Sequence, residues 1–312
     1  MNGQASAVPD LSICICTYKR PELLERLLRA IAAQQGERYA CQVVVVDNDP
    51  RHSAAPVMQR WRDRDGMAFT GLHVATPNIS LARNAAVHAA RAPWVVFVDD
   101  DEAPDAHWLQ HLVHAQRQYG ADAVFGPVLP RYADDTPDWI RRGGYFDRAR
   151  HATGTLITTR DARTGNVLVR RSALLALDGP FDPAYGRSGG EDTVLFGALL
   201  ARGAVFVWCD EATVEEEVPV ERARLGWIVR RAYRGGQTFM RAELRRAAGA
   251  RRVLRAAYLG ARAAVQMLLA GLLALASLPF SRTRSARWLR TMAANAGKVT
   301  ALFGHRYQEY GH

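Results

Sequence analysis

The sequence has little lysine and cysteine, and it has none of the usual glycine-rich phosphate-binding patterns. Only Lys19 and Lys298 are lysines, so arginine carries almost all of the positive charge. Four cysteines without zinc-site spacing give no disulfide framework and indicate a reducing compartment. The absence of Gly-x-Gly-x-x-Gly and of a P-loop argues against a Rossmann dehydrogenase or an ATPase. Residues 1–10 lack a basic segment followed by an apolar one, so we expect no cleaved signal peptide and a cytosolic location.

Charge is distributed unevenly along the chain. The 312 residues include 41 basic and 31 acidic side chains, which gives a net charge of +10. Residues 222–312 hold 18 of the basic and 2 of the acidic side chains, so their net charge is +16, whereas residues 1–221 have a net charge of −6. We therefore expect two regions, the second facing an anionic partner such as a lipid surface, phosphates or nucleic acid.

The first region alternates short apolar runs with helical patterns. The runs at 11–16, 42–46 and 94–98 are continuously apolar, which indicates parallel strands covered on both faces. Helices are expected from Pro21 and at 79–90, 105–119 and 191–202, with further strands at 166–170 and 204–208. The pattern predicts an α/β fold with a doubly wound, mostly parallel sheet, which binds its ligand at the carboxyl ends of the strands.

Three consecutive aspartates, Asp99, Asp100 and Asp101, directly follow the third apolar run. Adjacent like charges repel, so a cation or fixed donors must offset them. Mg²⁺ held by one or two carboxylates and completed by substrate phosphates is a common solution. In extended backbone Asp99 and Asp101 point to one side, so we assign these two to a divalent metal and a nucleotide sugar, and Asp100 to the ribose or base. A solvated acidic loop is the alternative.

Five short segments form a recognisable series. They are S-I-C-I-C-T-Y-K-R-P at 12–21, V-V-V-V-D-N-D at 43–49, L-A-R-N at 81–84, V-F-V-D-D-D at 96–101 and G-G-E-D-T at 189–193. In order and spacing they resemble the inverting family 2 glycosyltransferases, most closely the bacterial enzymes of succinoglycan type that build exopolysaccharide repeats on a lipid carrier. The resemblance implies a GT-A fold, a nucleotide-diphosphate sugar donor and an Asp-x-Asp motif for Mg²⁺ or Mn²⁺.

The resemblance also implies residues that bind the donor nucleotide. Thr17 and Arg20 would flank the nucleotide after the first strand. Asp47, with Asp49 nearby, would accept a hydrogen bond from the uracil edge. Arg83 would approach the base or the diphosphate, beside Asp99 and Asp100.

On the acceptor side the resemblance implies that Asp192 is the general base and that Glu191 positions the acceptor. At the start of a predicted helix, Asp192 is favoured in its ionised form by the helix dipole. An acidic helix cap is the alternative for this Gly-Glu-Asp segment. Some family members carry a metal-holding histidine near this position, whereas this chain has V-E-E-E at 214–217, so Glu216 is a candidate contact to metal or acceptor in place of that histidine.

Other acceptor or diphosphate candidates lie outside these motifs. Trp139 stands in a Gly/Pro-rich connection, where an aromatic ring can pack against a sugar or simply anchor the loop. Arg231 and Arg234 share a helical neighbourhood and are candidates to close over a diphosphate or a lipid-linked pyrophosphate, with a solvated basic face as the alternative.

An apolar run of 18 residues at 263–280 has arginines on both sides. As a helix it reaches about 27 Å, which is marginal for a hydrocarbon core of about 30 Å. We expect an interfacial or re-entrant helix pair that turns near Pro279, with a true span or a soluble helical cap as alternatives. The expected location is the cytoplasmic face of the inner membrane, as a peripheral or monotopic protein.

The sequence thus predicts a GT-A glycosyltransferase domain at 8–221 and a basic, helical, membrane-associated region at 222–312. The predicted enzyme is a metal-dependent inverting hexosyltransferase that moves a sugar from a UDP-sugar to a lipid-linked or polysaccharide acceptor, with no nucleic-acid partner. One competing hypothesis is a sugar-1-phosphate nucleotidyltransferase, which would need a glycine-rich loop with a lysine after the first strand. Another is a nucleic-acid-binding protein that uses the basic tail.

Overall fold

The protein is described by a computed structural model that covers residues 8–64, 67–187, 189–245 and 247–305. The expected lack of a signal peptide concerns mainly residues 1–7, and the predicted C-terminal region ends in 306–312; both segments lie outside the described residues. The chain forms two compact units. The first comprises Met1–Leu129 and Arg148–Glu216, and the second comprises Pro130–Asp147 and Glu217–His312. The predicted division of roles between 8–221 and 222–312 stays a prediction.

The strands follow the chain in the order β1 (Leu11–Thr17), β2 (Cys41–Asp47), β3 (Ala68–His73), β4 (Trp94–Val98), β5 (Glu102–Pro104), β6 (Ala123–Phe125), β7 (Val128–Tyr132), β8 (Asn166–Arg170), β9 (Phe206–Trp208) and β10 (Val214–Val218). The helices are α1 (Pro21–Ala32), α2 (Ala55–Arg62), α3 (Ile79–Ala89), α4 (Trp108–Tyr119), α5 (Asp138–Arg141), α6 (Arg171–Leu175), α7 (Glu191–Ala201), α8 (Leu225–Arg245), α9 (Gly249–Ser277) and α10 (Arg282–Leu302). A short 3₁₀ helix spans Pro183–Tyr185.

The first unit is organised on a seven-stranded sheet of order β3-β2-β1-β4-β8-β6-β9. Strands β3, β2, β1 and β4 are mutually parallel, and β8 runs antiparallel to its neighbours β4 and β6. Helices α1, α2 and α4 pack on one face, while α3, α6 and α7 pack on the other, so the central strands are mainly apolar on both faces. The predicted α/β fold with a mostly parallel sheet is confirmed.

Several boundaries differ from the sequence pattern for local reasons. The helix expected from Asp105 begins at Trp108, because the Asp105 side chain accepts from the His107 N–H and its carbonyl accepts from the Trp108 N–H. The sequence analysis missed α2 and β3. Strand β3 is an edge strand with mostly half-buried side chains and a glycine, so it lacks the continuous apolar run that marks a central strand.

Strand β10 pairs antiparallel with β5, which follows the aspartate triplet almost immediately. The register places Glu216 opposite Glu102 and Val214 opposite Pro104. This pairing brings a distant part of the sequence next to the carboxyl end of β4.

The second unit is mainly helical. Helices α8 and α10 approach so closely that a Cβ on Gly236 would lie 1.9 Å from the Ala294 carbonyl oxygen, and a Cβ on Gly297 would lie 1.9 Å from the Tyr233 carbonyl oxygen. Helix α9 ends at Ser277 and α10 begins at Arg282, so the predicted helix pair that turns near Pro279 is present. A small aromatic cluster, which includes Tyr145, Phe146 and Trp227, forms a separate core in this unit.

Candidate active site

The aspartate triplet lies in a tight turn at the end of β4. The Asp99 N–H donates to Glu102 Oε2 at 2.9 Å, and the Glu102 N–H donates to the Asp99 carbonyl at 3.1 Å. The extended backbone that we expected across the triplet is therefore wrong. Because the chain turns, Asp100 and Asp101 share one partner and Asp99 has another.

Arg20 is the shared partner of Asp100 and Asp101. Its Nη1 donates to Asp100 Oδ1 at 3.2 Å and to Asp101 Oδ2 at 2.8 Å. Thr17, at the end of β1, donates its hydroxyl to Asp100 Oδ2 at 2.7 Å. Burial raises the pKa of Asp100 to about 6, although Arg20 favours the ionised form. Two predicted nucleotide-binding residues thus hold two of the three aspartates.

Arg83, in α3, bridges the triplet to the start of α7. Its Nη1 donates to Glu191 Oε1 at 2.7 Å, and its Nη2 donates to Asp99 Oδ1 at 3.3 Å. The guanidinium also lies over the Phe181 ring, 5.6 Å from its centroid. Burial alone would lower the pKa of Arg83, but its two carboxylate partners raise it above the ordinary value. The arginine predicted to approach the donor is thereby linked to the glutamate predicted to position the acceptor.

Helix α7 starts at Glu191, directly after two glycines. Gly189 and Gly190 have φ angles of 74° and 103°, a region that glycine adopts without strain and other residues rarely enter. Glu191 is buried, which raises its pKa despite the Arg83 contact, and its Oε2 has no hydrogen-bond partner among the described residues. Asp192 accepts the Thr193 N–H at 2.7 Å and is partly exposed. Of the two acids, Asp192 is the one that an external hydroxyl can reach.

Asp47 and Asp49 lie at the end of β2, beside Thr17 in the sheet register. Both are buried. Asp47 uses its two oxygens to accept backbone N–H groups, from Asp49 at 2.9 Å and from Ala54 at 2.8 Å. Asp47 therefore shapes the loop after β2, and its predicted contact with a uracil edge stays a prediction.

Glu102 is a buried carboxyl group that the sequence analysis missed. A Cβ on Gly165 would lie 2.6 Å from Glu102 Oε1 and 3.2 Å from Asp99 Oδ2, so any larger residue there would have to displace these two carboxyl groups. Burial and the nearby Asp99 raise the pKa of Glu102 well above its usual value. The sequence did contain a signal for this residue, because Glu102 directly follows the triplet. A fourth ionised acid there would add to the repulsion, so its environment had to differ from that of a simple acidic loop.

Glu216 lies across from Glu102 and is paired with an arginine that was also missed. Arg148 Nη2 donates to Glu216 Oε2 at 2.5 Å. Both residues belong to the first unit, so this pair extends the polar surroundings of the triplet. Arg148 gave no signal in the sequence because it stands in an irregular segment, 68 positions from its partner.

The remaining candidates belong to the second unit. Trp139, in α5, packs edge-on against Tyr145 with ring centroids 5.9 Å apart. Arg231, in α8, lies over the Trp227 ring at 5.1 Å, and Arg234 follows one turn later. These contacts place Trp139 in the packing of its own unit, and the acceptor roles of all three residues stay predictions.

The fit of a divalent metal can be judged from the donor atoms near the triplet. No group of three or more His, Cys, Asp or Glu side chains within the described part of the chain is arranged to hold a metal. Two carboxylates completed by donor phosphates are nevertheless a sufficient set for Mg²⁺. Glu102 Oε1 is buried and has no hydrogen-bond partner among the described residues, and the Cβ position at Gly165 lies 2.6 Å from this oxygen and 3.2 Å from Asp99 Oδ2. The residues present thus fit a hard divalent cation.

Comparisons with known proteins show which proteins this chain is similar to. The family model described as Glycosyl transferase family 2 matches residues 12–177. The succinoglycan biosynthesis protein ExoM of Rhizobium meliloti (strain 1021) is 35% identical over 307 residues, which is 96% of each chain. A validoxylamine A glucosyltransferase of Streptomyces hygroscopicus subsp. jinggangensis (strain 5008) is 30% identical over 115 residues, or 37% of this chain and 27% of that one.

Solved structures share the fold at low sequence identity. The crystal structure of S. aureus TarS 1–349 in complex with UDP has a TM-score of 0.55 and 16% identity, and covers 96% of this chain and 93% of that chain. The structure of the same TarS segment in complex with UDP-GlcNAc matches with the same TM-score and coverage.

Proposed function

Because this chain belongs to glycosyl transferase family 2, we propose that it transfers a sugar, with inversion, from a UDP-sugar to a lipid-linked saccharide in exopolysaccharide assembly. The predicted family and the predicted enzyme class, a glycosyltransferase, are confirmed by the matches along most of the chain. These matches leave no support for a nucleotidyltransferase.

One observation carries the proposal: the two arginines Arg20 and Arg83 join all three aspartates of the triplet to the elements on either side. Arg20 connects two of them to the end of β1, and Arg83 connects Asp99 to the start of α7. Donor-side and acceptor-side residues of the proposed reaction therefore converge at the carboxyl end of the sheet in one unit. This is where a doubly wound sheet binds its ligand.

On the donor side, we assign nucleotide contacts to the loops after β1 and β2 and metal contacts to the triplet. Members of this family typically use a divalent metal, which Asp99 and Asp101 would hold here. When bound, such an ion neutralises charge that develops on the departing diphosphate. UDP is supported as the nucleotide by the motif resemblance and by the UDP-bound structures of TarS.

On the acceptor side, we assign the proton transfer to Asp192. Its carboxylate takes the proton of an acceptor hydroxyl while the hydroxyl oxygen forms a bond to the anomeric carbon. The bond between that carbon and the diphosphate oxygen breaks, and the diphosphate leaves with the electron pair. A single base with attack opposite the leaving group inverts the anomeric configuration. Glu191, fixed by Arg83, lies beside Asp192 to position the acceptor.

A lipid-linked acceptor and a location at the cytoplasmic face of the inner membrane complete the proposal. They are supported by the name of ExoM, a succinoglycan biosynthesis protein, and by α9, which is long and apolar enough to interact with a bilayer. The basic side chains of the second unit, among them Arg231 and Arg234, suit a pyrophosphate carrier at such a surface.

The direct test is transfer from a panel of UDP-, GDP- and TDP-sugars to lipid-linked saccharides, in Mg²⁺ or Mn²⁺. We expect product only with a UDP-sugar, and NMR of the new linkage should show the opposite anomeric configuration from the donor. Product formed from a GDP- or TDP-sugar alone would overturn the donor assignment. Retained configuration would overturn the single-base mechanism.

A further inference from the structure

Helix α9 presents a continuous apolar face to its surroundings. Leu254, Leu268, Leu272 and Leu275 are 65–70% exposed. At about 100° per residue they share one helical face with three further exposed side chains. We call this set the leucine stripe: Leu254, Tyr258, Val265, Leu268, Leu269, Leu272 and Leu275. It runs for about 31 Å along the helix, far more than scattered surface leucines provide.

The opposite face of α9 packs against α10 along much of its length. Ala263, Ala270 and Ala274 are buried there. The Ser285 hydroxyl donates to the Ala274 carbonyl at 2.9 Å, near the start of α10. Towards the other end, a Cβ on Gly260 would lie 2.7 Å from Leu302 Cδ1. The two helices are therefore antiparallel neighbours from the turn at Pro279 back to the middle of α9.

Helix α10 is the middle helix of this group. Its other side packs against α8 at Gly236 and Gly297, and Gln237 Nε2 donates to Thr300 Oγ1 at 3.3 Å. A bilayer that surrounded α9 would therefore also have to accommodate α10 and its polar contacts with α8.

The charges on α10 decide between a span and an in-plane helix. Its basic residues are Arg282, Arg284, Arg287, Arg290 and Lys298. The four arginines lie on the half of α10 that packs beside the uncharged half of α9. Arginine at the depth of the hydrocarbon centre is strongly unfavourable, so α9 cannot cross a bilayer without a large penalty from its own neighbour. If α9 lies in the membrane plane this penalty is avoided, because the leucine stripe and α10 lie on opposite sides of α9.

The arginines of α9 itself suit the same orientation. Arg251, Arg255 and Arg262 are exposed and lie beside the first part of the stripe, about 60–100° from its centre around the helix axis. Long arginine side chains extend from an apolar face to the headgroup phosphates. Together with the net charge of +16 in residues 222–312, they favour an anionic bilayer as the occupant of this face.

We propose that α9 is a monotopic anchor that lies in the plane of an anionic membrane, with the leucine stripe among the acyl chains and α10 on the aqueous side. This inference deepens the proposed function and rests on it for the choice of a bilayer as partner. It sets the helix turn at Pro279 on the same side of the membrane as α10.

Binding to vesicles tests the stripe. The wild type, Leu268→Asp and the control Leu156→Asp would be sedimented with phosphatidylglycerol–phosphatidylcholine vesicles. Leu156 is a suitable control because its exposed fraction, 71%, is close to the 65% of Leu268, whereas it lies in the first unit and outside the stripe. We expect Leu268→Asp to weaken binding by about tenfold or more and Leu156→Asp to leave it unchanged. Equal binding by all three proteins would overturn the proposal.

Labelling at the helix turn distinguishes an in-plane helix from a span. Arg282→Cys places a thiol at the exposed start of α10, and the unsubstituted protein measures the background from the four native cysteines. The protein is first bound to the outer surface of preformed vesicles, and a membrane-impermeant maleimide is then added to the outside solution. The maleimide should label this thiol fully before detergent is added. Labelling only after detergent would show that the turn has crossed the membrane and would overturn the proposal.

Two further measurements separate this inference from the proposed function. Hydrolysis of UDP-sugar without vesicles should be the same for the wild type and Leu268→Asp; hydrolysis by neither would count against the proposed function and leave the anchor standing. Light scattering without vesicles measures the oligomeric state, and so tests whether a second copy of the chain covers the leucine stripe instead of a bilayer. A wild-type dimer that Leu268→Asp dissociates would overturn the anchor proposal.

Discussion

The two compact units differ in whether their charged and apolar side chains are paired and buried or exposed. In the first unit, Arg20 and Arg83 each bridge two carboxylates, and the apolar side chains of the central strands are buried between helices. In the second unit, leucines of α9 are exposed and exposed arginines flank them. The first arrangement suits a small charged ligand in a fixed geometry, whereas the second suits a large surface that is both apolar and anionic.

Charged side chains in the two units should also contribute differently to the free energy of unfolding. A buried ion pair is a weak source of stability, because desolvation opposes the attraction, but removal of one partner leaves an uncompensated charge. An exposed basic side chain has little effect on folding and acts mainly through attraction to a partner. Substitutions in the first unit should therefore change catalysis and folding, and substitutions in the second should change where the enzyme works.

Asp192→Asn should have the largest effect. Removal of the proposed base should lower the rate of sugar transfer by about 10²- to 10⁴-fold while UDP binding remains. Transfer rates and UDP titrations would be compared with those of Asp182→Asn, a control at the start of the 3₁₀ helix, where the side chain accepts the Ala184 N–H. Transfer close to wild-type rates would exclude Asp192 as the base.

Arg83→Met should reveal the buried charge network. The free energy of unfolding should fall by about 3–5 kcal/mol, because Glu191 loses its nearest cation. Arg83→Met combined with Glu191→Gln should recover part of this loss. The control Arg170→Met breaks a partly exposed pair with Asp122 and should cost about 1 kcal/mol or less in urea unfolding. Equal losses at both arginines would contradict the view that the buried pair of Arg83 and Glu191 matters more for folding than a partly exposed pair of the same unit.

Substitution of Glu102 should affect stability and transfer less than substitution of Arg83, and the effect should depend on which residue replaces it. Glu102→Gln keeps an oxygen that can accept the Asp99 N–H, whereas Glu102→Ala leaves this N–H without its partner and should cost about 1–3 kcal/mol of stability. The transfer rate should fall in the alanine variant and be largely retained in the glutamine variant. If both variants lose transfer equally, the carboxyl group itself is needed, and a role limited to holding the turn is wrong.

The double substitution of Arg251 and Arg262 by Gln should have the smallest effect on the molecule itself. Its unfolding free energy should stay within about 0.5 kcal/mol of wild type, since exposed substitutions rarely exceed this. Binding to anionic vesicles should weaken by about 1 kcal/mol per arginine at low salt, with a smaller difference at high salt. An equal loss on neutral phosphatidylcholine vesicles would show that charge attraction is not the cause.

The sequence predicted the parts of this molecule that depend on local pattern. Strand β4 and strand β8 have the expected bounds, and α3 and α7 each differ by one residue. Apolar runs and helical periodicity contain this information. The five motif segments likewise pointed to the family, because their order along the chain reflects a common fold.

The rest depended on contacts between distant residues or on local turns. The turn at Asp99 was missed because an extended chain was assumed beyond β4, and it redirects Asp100 and Asp101 to Arg20. Arg148 was missed because its partner lies in β10. The position of α10 between α8 and α9 followed from small residues such as Gly236, which no hydrophobic periodicity marks.

We propose that carboxylates of the triplet hold a divalent cation, which binds the donor diphosphate. Isothermal titration of UDP with and without Mn²⁺, in the wild type and in Asp101→Asn, is the decisive experiment. We predict that Mn²⁺ tightens UDP binding to the wild type and that Asp101→Asn removes this gain while metal-free binding persists. If the wild type binds UDP equally well in chelator and in Mn²⁺, or if Asp101→Asn keeps the full gain, the claim is contradicted.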